Sequence, residues 1–176
     1  GFSRPVWSIG AMLDPDGLWG DWRAAPHVDG EIRRRLDRLD QRLRDALGAY
    51  GRTPDRFGLV HADMRLANLL VAGRRVMLLD FDDCGFCWFL YDLAASLSFI
   101  EMRADLMDLV AAWTAGYAGV RPLSPEDRAM IVPMILLRRM VLLAWIGSHG
   151  ETDLARRHAP VFARDTADLA DRIWPR

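Results

Sequence analysis

Residues 59–71, LVHADMRLANLLV, and residues 76–83, VMLLDFDD, decide how this chain is read. Three short apolar runs, 57–60, 69–71 and 76–79, alternate with polar stretches, 61–68 and 80–83, and a turn at 72–74. Runs of this length bounded by polar and turn residues predict strand, loop, strand, turn, strand, the last two forming a hairpin. Side chains in the polar loop and at the end of the last strand can then converge on one point.

Outward from this core the period changes. Over 31–50 the apolar residues Ile32, Leu36, Leu39, Leu43, Leu47 and Tyr50 recur at helical steps, with arginine and aspartate on the other face and Gly51 as a stop. Downstream, four further helical segments are expected at 89–101, 104–120, 125–149 and 152–174. Ser124, Pro125, Glu126 and Asp127 give the third an N-cap, a first-turn proline and early acids, while Pro133 should bend it. Residues 1–30 set Trp7, Trp19 and Trp22 among turn formers without a sustained period. They are expected to be a connector packed onto a domain of residues 31–176. The expected fold class is α+β, mainly α, with a small β hairpin.

A chain of 176 residues, 51% hydrophobic, can bury a sizeable core without disulfides or metal staples. Its net charge of −1 provides no global field for nucleic acid or an anionic membrane, and neither partner is expected. All 23 basic residues are arginine, and Asp outnumbers Glu 20 to 4. Without lysine, the chain by itself has no amine for a Schiff base or for a phosphate-binding lysine. Cys84 and Cys87 form a C-x-x-C that lacks the second pair a zinc site needs, so two reduced thiols and a cytoplasmic setting are expected. The longest apolar stretch, 131–147, carries Arg138 and Arg139 near its middle, where two charges are costly in lipid, and reads as a buried helix.

The polar residues of the β region match the needs of phosphoryl transfer. That reaction uses a carboxylate at the acceptor hydroxyl and oxygen donors that hold Mg²⁺ against the phosphates. Asp63, the amide of Asn68 and Asp80 are such groups. The spacing from Asp63 to Asn68 also matches the H-R-D-x-x-x-x-N catalytic loop of protein kinases, and Asp80-Phe81-Asp82 stands where their D-F-G would.

With LVHADMRLANLLV, VMLLDFDDCG and FLYDLAASL (89–97), the segment 57–99 resembles the aminoglycoside phosphotransferase, homoserine kinase and choline kinase group of kinase-like enzymes. The resemblance implies a protein-kinase-like C-terminal lobe whose hairpin region carries the catalytic and metal loops. It also implies an ATP-dependent phosphotransferase acting on a hydroxyl of a small molecule, an aminoglycoside, homoserine or a choline-like metabolite. Asp63 would be the general base, Asn68 and Asp80 the groups that hold Mg²⁺ and the nucleotide, His61 an organiser of the loop and Asp92 a brace beside it. Asp82 is a further candidate for the metal, with Asp83, or for a cationic substrate group; loop capping is the alternative for both. Arg65 stands where protein kinases often place a lysine against the transferring phosphate, or it is an ion-paired loop arginine. Trp88, Phe89 and Tyr91 could line a cation site or pack in the core, with core packing favoured. Ala62 departs from the glycine common in the antibiotic kinases. The glycine-rich loop and ATP-pairing lysine of such kinases are absent from the sequence, so the nucleotide clamp is expected on an N-terminal lobe outside it, and the chain alone is expected to turn over little.

Other readings are poorer fits. Residues 76–82 also resemble the first motif of haloacid-dehalogenase-type phosphatases, but these need a later lysine and a different continuation after the second aspartate. His61-x-Asp63 as half of a metallohydrolase site lacks a second histidine pair; His27, His149 and His158 have no metal-like spacing. A lobe of a bacterial stress-response-type protein kinase, a non-catalytic interaction module and an inactive fragment remain as alternatives.

Overall fold

The computed structural model describes residues 3–73 and 75–175. Its elements are α1 (Ile9–Leu13), α2 (Gly30–Tyr50), β1 (Phe57–Val60), β2 (Leu69–Ala72), β3 (Arg75–Leu78), β4 (Gly85–Trp88), α3 (Tyr91–Ser96), α4 (Leu106–Ala118), α5 (Pro125–Ser148) and α6 (Asp153–Ile173). Short 3₁₀ turns lie at Trp22–Ala24 and Leu66–Asn68. The architecture is α+β and mainly helical.

The chain divides into two compact units. One holds the stretch up to Val6 together with Arg52–Ile135; the other holds Trp7–Gly51 and the stretch from Leu136 onward. The helix α5 contributes residues to both.

The first unit contains all four strands. The hairpin pairs β2 with β3 in the register Leu69↔Leu78 to Ala72↔Arg75, and Arg74 of its turn lies outside the described residues. The strand β1 pairs antiparallel with β4, Phe57 opposite Trp88 and Val60 opposite Gly85. Sequence periodicity misses β4, because Gly85, Cys87 and Trp88 are buried and only Phe86 is exposed, which is no alternation. Its partner β1 stabilises it: Phe57 packs edge-on against Trp88, with ring centroids 5.3 Å apart. Gly58 makes room there for the Phe89 ring, which a Cβ at this position would meet at 2.7 Å and would have to displace. The helix expected over 89–101 is shorter, ending at Ser96 and followed by turns in which Phe99 has φ +69°.

The second unit is built on helix contacts. The predicted stripe of α2 is buried at Leu36, Leu39, Leu43, Leu47 and Tyr50, and Gly51 at φ +72° ends the helix. Arg35 of α2 bridges Asp168 and Asp171 of α6, at 2.8 and 2.7 Å. Buried Asp40 accepts hydrogen bonds from Trp22, Arg23 and Arg44, which offset the cost of placing a carboxylate inside. The stretch expected to lack regular structure thus contains α1, capped by the Ser8 hydroxyl, and the fully buried Trp22.

Ser124 and Asp127 cap α5 reciprocally, each side chain accepting the other's backbone N–H, and the helix continues through Pro133. By length and composition α5 could cross a membrane, but 83% of its most apolar window is buried in the protein. Arg139 stays inside by donating to the Thr166 hydroxyl and the Phe162 carbonyl.

Candidate active site

The loop after β1 is shaped by one carboxylate. Asp92, near the start of α3, accepts the backbone N–H of His61 at 3.0 Å and that of Ala62 at 2.8 Å. It thereby fixes two consecutive peptides, including Ala62 at φ +67°, a left-handed conformation that costs an L-residue about 1–2 kcal/mol. Glycine meets no such cost, which gives the Gly-to-Ala departure at this position a physical meaning.

His61 is buried and ties this loop to the end of the hairpin. Its Nδ1 accepts the Asp63 N–H at 3.3 Å, which places the ring hydrogen on Nε2, and Nε2–H donates to the Leu79 carbonyl at 2.9 Å. Phe81 lies against the same ring, centroid to centroid 4.6 Å.

Asn68 closes the set. Its amide nitrogen donates to both the Asp63 carbonyl and Asp63 Oδ2, each at 2.9 Å, which fixes the turn and the carboxylate rotamer together. With nitrogen committed to two acceptors, Oδ1 is the Asn68 side-chain atom able to ligate a cation. The Asn68 carbonyl accepts the Leu79 N–H at 2.9 Å, extending the β2–β3 ladder by one step past Leu69↔Leu78. Asp80 follows directly, at φ +63°, a region Asp enters more readily than most residues, so its exposed carboxylate stands one residue beyond the bonded pair.

Arg65 is ion-paired, its Nε 3.2 Å from Asp63 Oδ2. Asp82 is exposed in the turn after Asp80, and its backbone carbonyl accepts from Arg4 at 3.2 Å. Asp82 joins the site through chain position rather than through a bond to Asp63 or Asn68. Trp88 and Tyr91 are fully buried, which removes them from a cation-binding wall; Phe89 is half-buried beneath the Arg121 guanidinium, 4.7 Å from its centroid. Cys84 and Cys87 are buried and not joined in a disulfide. His149 stacks on Trp145, and His158 lies edge-on to Phe162.

Among the described residues no three His, Cys, Asp or Glu gather into a self-sufficient metal centre. Asn68 Oδ1 and the Asp80 carboxylate are hard oxygen atoms, of the kind that would suit Mg²⁺ if phosphate and water completed its ligands. The residues fit that ion, and the arrangement pairs a fixed carboxylate with oxygen donors on adjoining backbone.

A family model described as the phosphotransferase enzyme family (APH) matches residues 3–126. A microcompartment-associated aminopropanol kinase is similar over 98% of this chain and 54% of its own, at 40% identity and a TM-score of 0.91. An amicoumacin kinase solved with AMP-PNP, Ca²⁺ and Ami shares the fold at 20% identity and a TM-score of 0.61, over 95% of this chain and 51% of its own. No curated protein matches the chain. The chain therefore spans about half the length of these two kinases. With the family match covering most of its residues, the chain belongs to the phosphotransferase enzyme family.

Proposed function

We propose that the chain supplies the acceptor and metal half of an ATP-dependent phosphotransferase whose acceptor is the hydroxyl of a small amino alcohol. The observation that carries this is the Asn68 amide, which holds the Asp63 carboxylate with its nitrogen and leaves its oxygen for a cation, while its backbone bonds to Leu79 beside Asp80. In this reading Asp63 takes the proton of the acceptor hydroxyl as its oxygen bonds to the γ-phosphorus and the bond to the bridging oxygen of ADP breaks. Asn68 and Asp80 hold Mg²⁺, which neutralises charge on the phosphates when bound. His61 and Asp92 keep Asp63 in place, and Arg65 stands at the carboxylate, within reach of charge that develops nearby.

The amino-alcohol class is supported by the 40% identical aminopropanol kinase. The nucleotide clamp belongs to the part of such kinases that this chain does not span, for a phosphate-pairing lysine has to come from elsewhere. The hairpin supports that division. Leu70, Val71, Val76 and Met77 are 49, 65, 60 and 45% exposed, and a two-stranded hairpin bare on both faces is marginal in water. Covered by nucleotide and an N-terminal lobe, the same side chains would be buried.

The test is transfer of phosphate to a panel of amino alcohols by the longer protein, with and without Asp63→Asn. The reading expects turnover with a small amino alcohol and a loss of about 10²–10⁴-fold in kcat in the variant, with nucleotide affinity retained. Undiminished turnover in Asp63→Asn would remove Asp63 as the base.

A further inference from the structure

The start of the described chain contacts both β4 and the turn that follows Asp80. The Phe86 N–H donates to the Pro5 carbonyl at 2.9 Å, and Val6 forms an isolated parallel bridge to Phe86, which places Pro5 and Val6 beside β4. One residue earlier, Arg4 Nη1 donates to the Asp82 carbonyl at 3.2 Å. Asp82 and Asp83 are the central residues of a turn closed by the Cys84 N–H on the Phe81 carbonyl, at 3.1 Å. The carbonyl that Arg4 holds therefore belongs to the central peptide of that turn.

In a four-residue turn the central peptide is the unit that rotates most readily. Its two orientations are distinguished by the φ of the third residue, negative in type I and positive in type II. Neither Asp82 nor Asp83 has a positive φ here, so the peptide is in the orientation that presents its carbonyl to Arg4. Rotation would break the Arg4 bond and change the ψ of Asp82 and the φ of Asp83, in a turn that begins at Phe81, the residue after Asp80.

We infer that Arg4 is a positioning residue for the metal loop: it holds the Asp82–Asp83 peptide, and, with Pro5 anchored on Phe86, it ties residues 4–6 to the loop that carries Asp80. The functional consequence rests on the proposed Mg²⁺-nucleotide role; the coupling itself does not. A shift of segment 4–6 would then change metal-dependent nucleotide affinity without any change in the residues that touch the metal.

The test compares the chain with its Arg4→Met and Arg4→Lys variants by two readouts. In amide hydrogen exchange, Arg4→Met should raise the rate at Cys84 by about fivefold, the scale of one partly exposed charge-assisted hydrogen bond, while the β1–β4 amides keep theirs. In titrations with ATP, Arg4→Met should weaken binding by a similar factor, about fivefold, in the presence of Mg²⁺ and leave metal-free binding unchanged, with Arg4→Lys restoring most of the loss. Equal Cys84 exchange in Arg4→Met and the parent overturns the coupling. Faster exchange with unchanged Mg²⁺-dependent affinity overturns the positioning role. If the parent itself shows no Mg²⁺-dependent binding, the proposed function fails, and the exchange rates still decide the coupling.

Discussion

The helical unit and the hairpin of the strand-bearing unit are stabilised by different means. In the helical unit, side chains face inward: Leu36 and Leu43 are wholly inaccessible, and α2 and α6 are cross-linked by Arg35. In the strand-bearing unit, the hairpin exposes its apolar residues, and the order of the site comes from hydrogen bonds between side chains and backbone at Asp92, His61 and Asn68. The contrast teaches that burial supplies the stability in one region while polar bonds supply geometry in the other. Buried apolar area is non-directional and tolerates small shifts; a carboxylate holding two successive N–H groups does not.

Paired substitutions test the contrast most strongly. Leu43→Ala should cost about 2–5 kcal/mol of stability in urea denaturation, whereas Val71→Thr on the hairpin should cost less than about 0.5 kcal/mol. Similar losses in the two variants would show that the hairpin, too, is held by burial.

Next in size is Asp92→Asn. One of the two amides it serves would face an NH₂ group in place of an oxygen, a loss of about 1–3 kcal/mol. Hydrogen exchange should locate that loss at His61 and Ala62, with α2 unaffected; uniform acceleration across both units would blur the contrast.

The smallest effect runs the other way. Ala62→Gly relieves about 1–2 kcal/mol of left-handed strain and adds about 0.4–1 kcal/mol of unfolded-chain freedom, for a net gain of about 0–1.6 kcal/mol. A destabilised Ala62→Gly would mean that the Ala62 methyl, itself buried, contributes more to packing than its backbone costs.

How far the sequence speaks follows the same division. The stripe of α2 and the cap of α5 are legible because helix periodicity and capping are local, and the structure has both. The hairpin is legible from its turn and flanking apolar runs. The strand β4 is not, because its existence depends on β1, some way upstream, and buried Trp88 shares a face with exposed Phe86, which breaks the alternation. α1 is too short to show a period. At the site, residue types and spacing identify the loop, but neither the positive φ of Ala62 nor the bond of Arg4 to Asp82 leaves a local signal. Such features arise from chain segments brought together only by folding.

The most direct test of the central claim is calorimetric titration of the chain with ATP, with and without Mg²⁺, beside Asp80→Asn. Asparagine suits the left-handed backbone at this position, so the substitution changes charge and ligation while sparing the turn. The account predicts weak binding that needs Mg²⁺ in the parent and loses its Mg²⁺-dependent part in the variant. Equal affinity in parent and variant in the presence of Mg²⁺, with both folded, would contradict it.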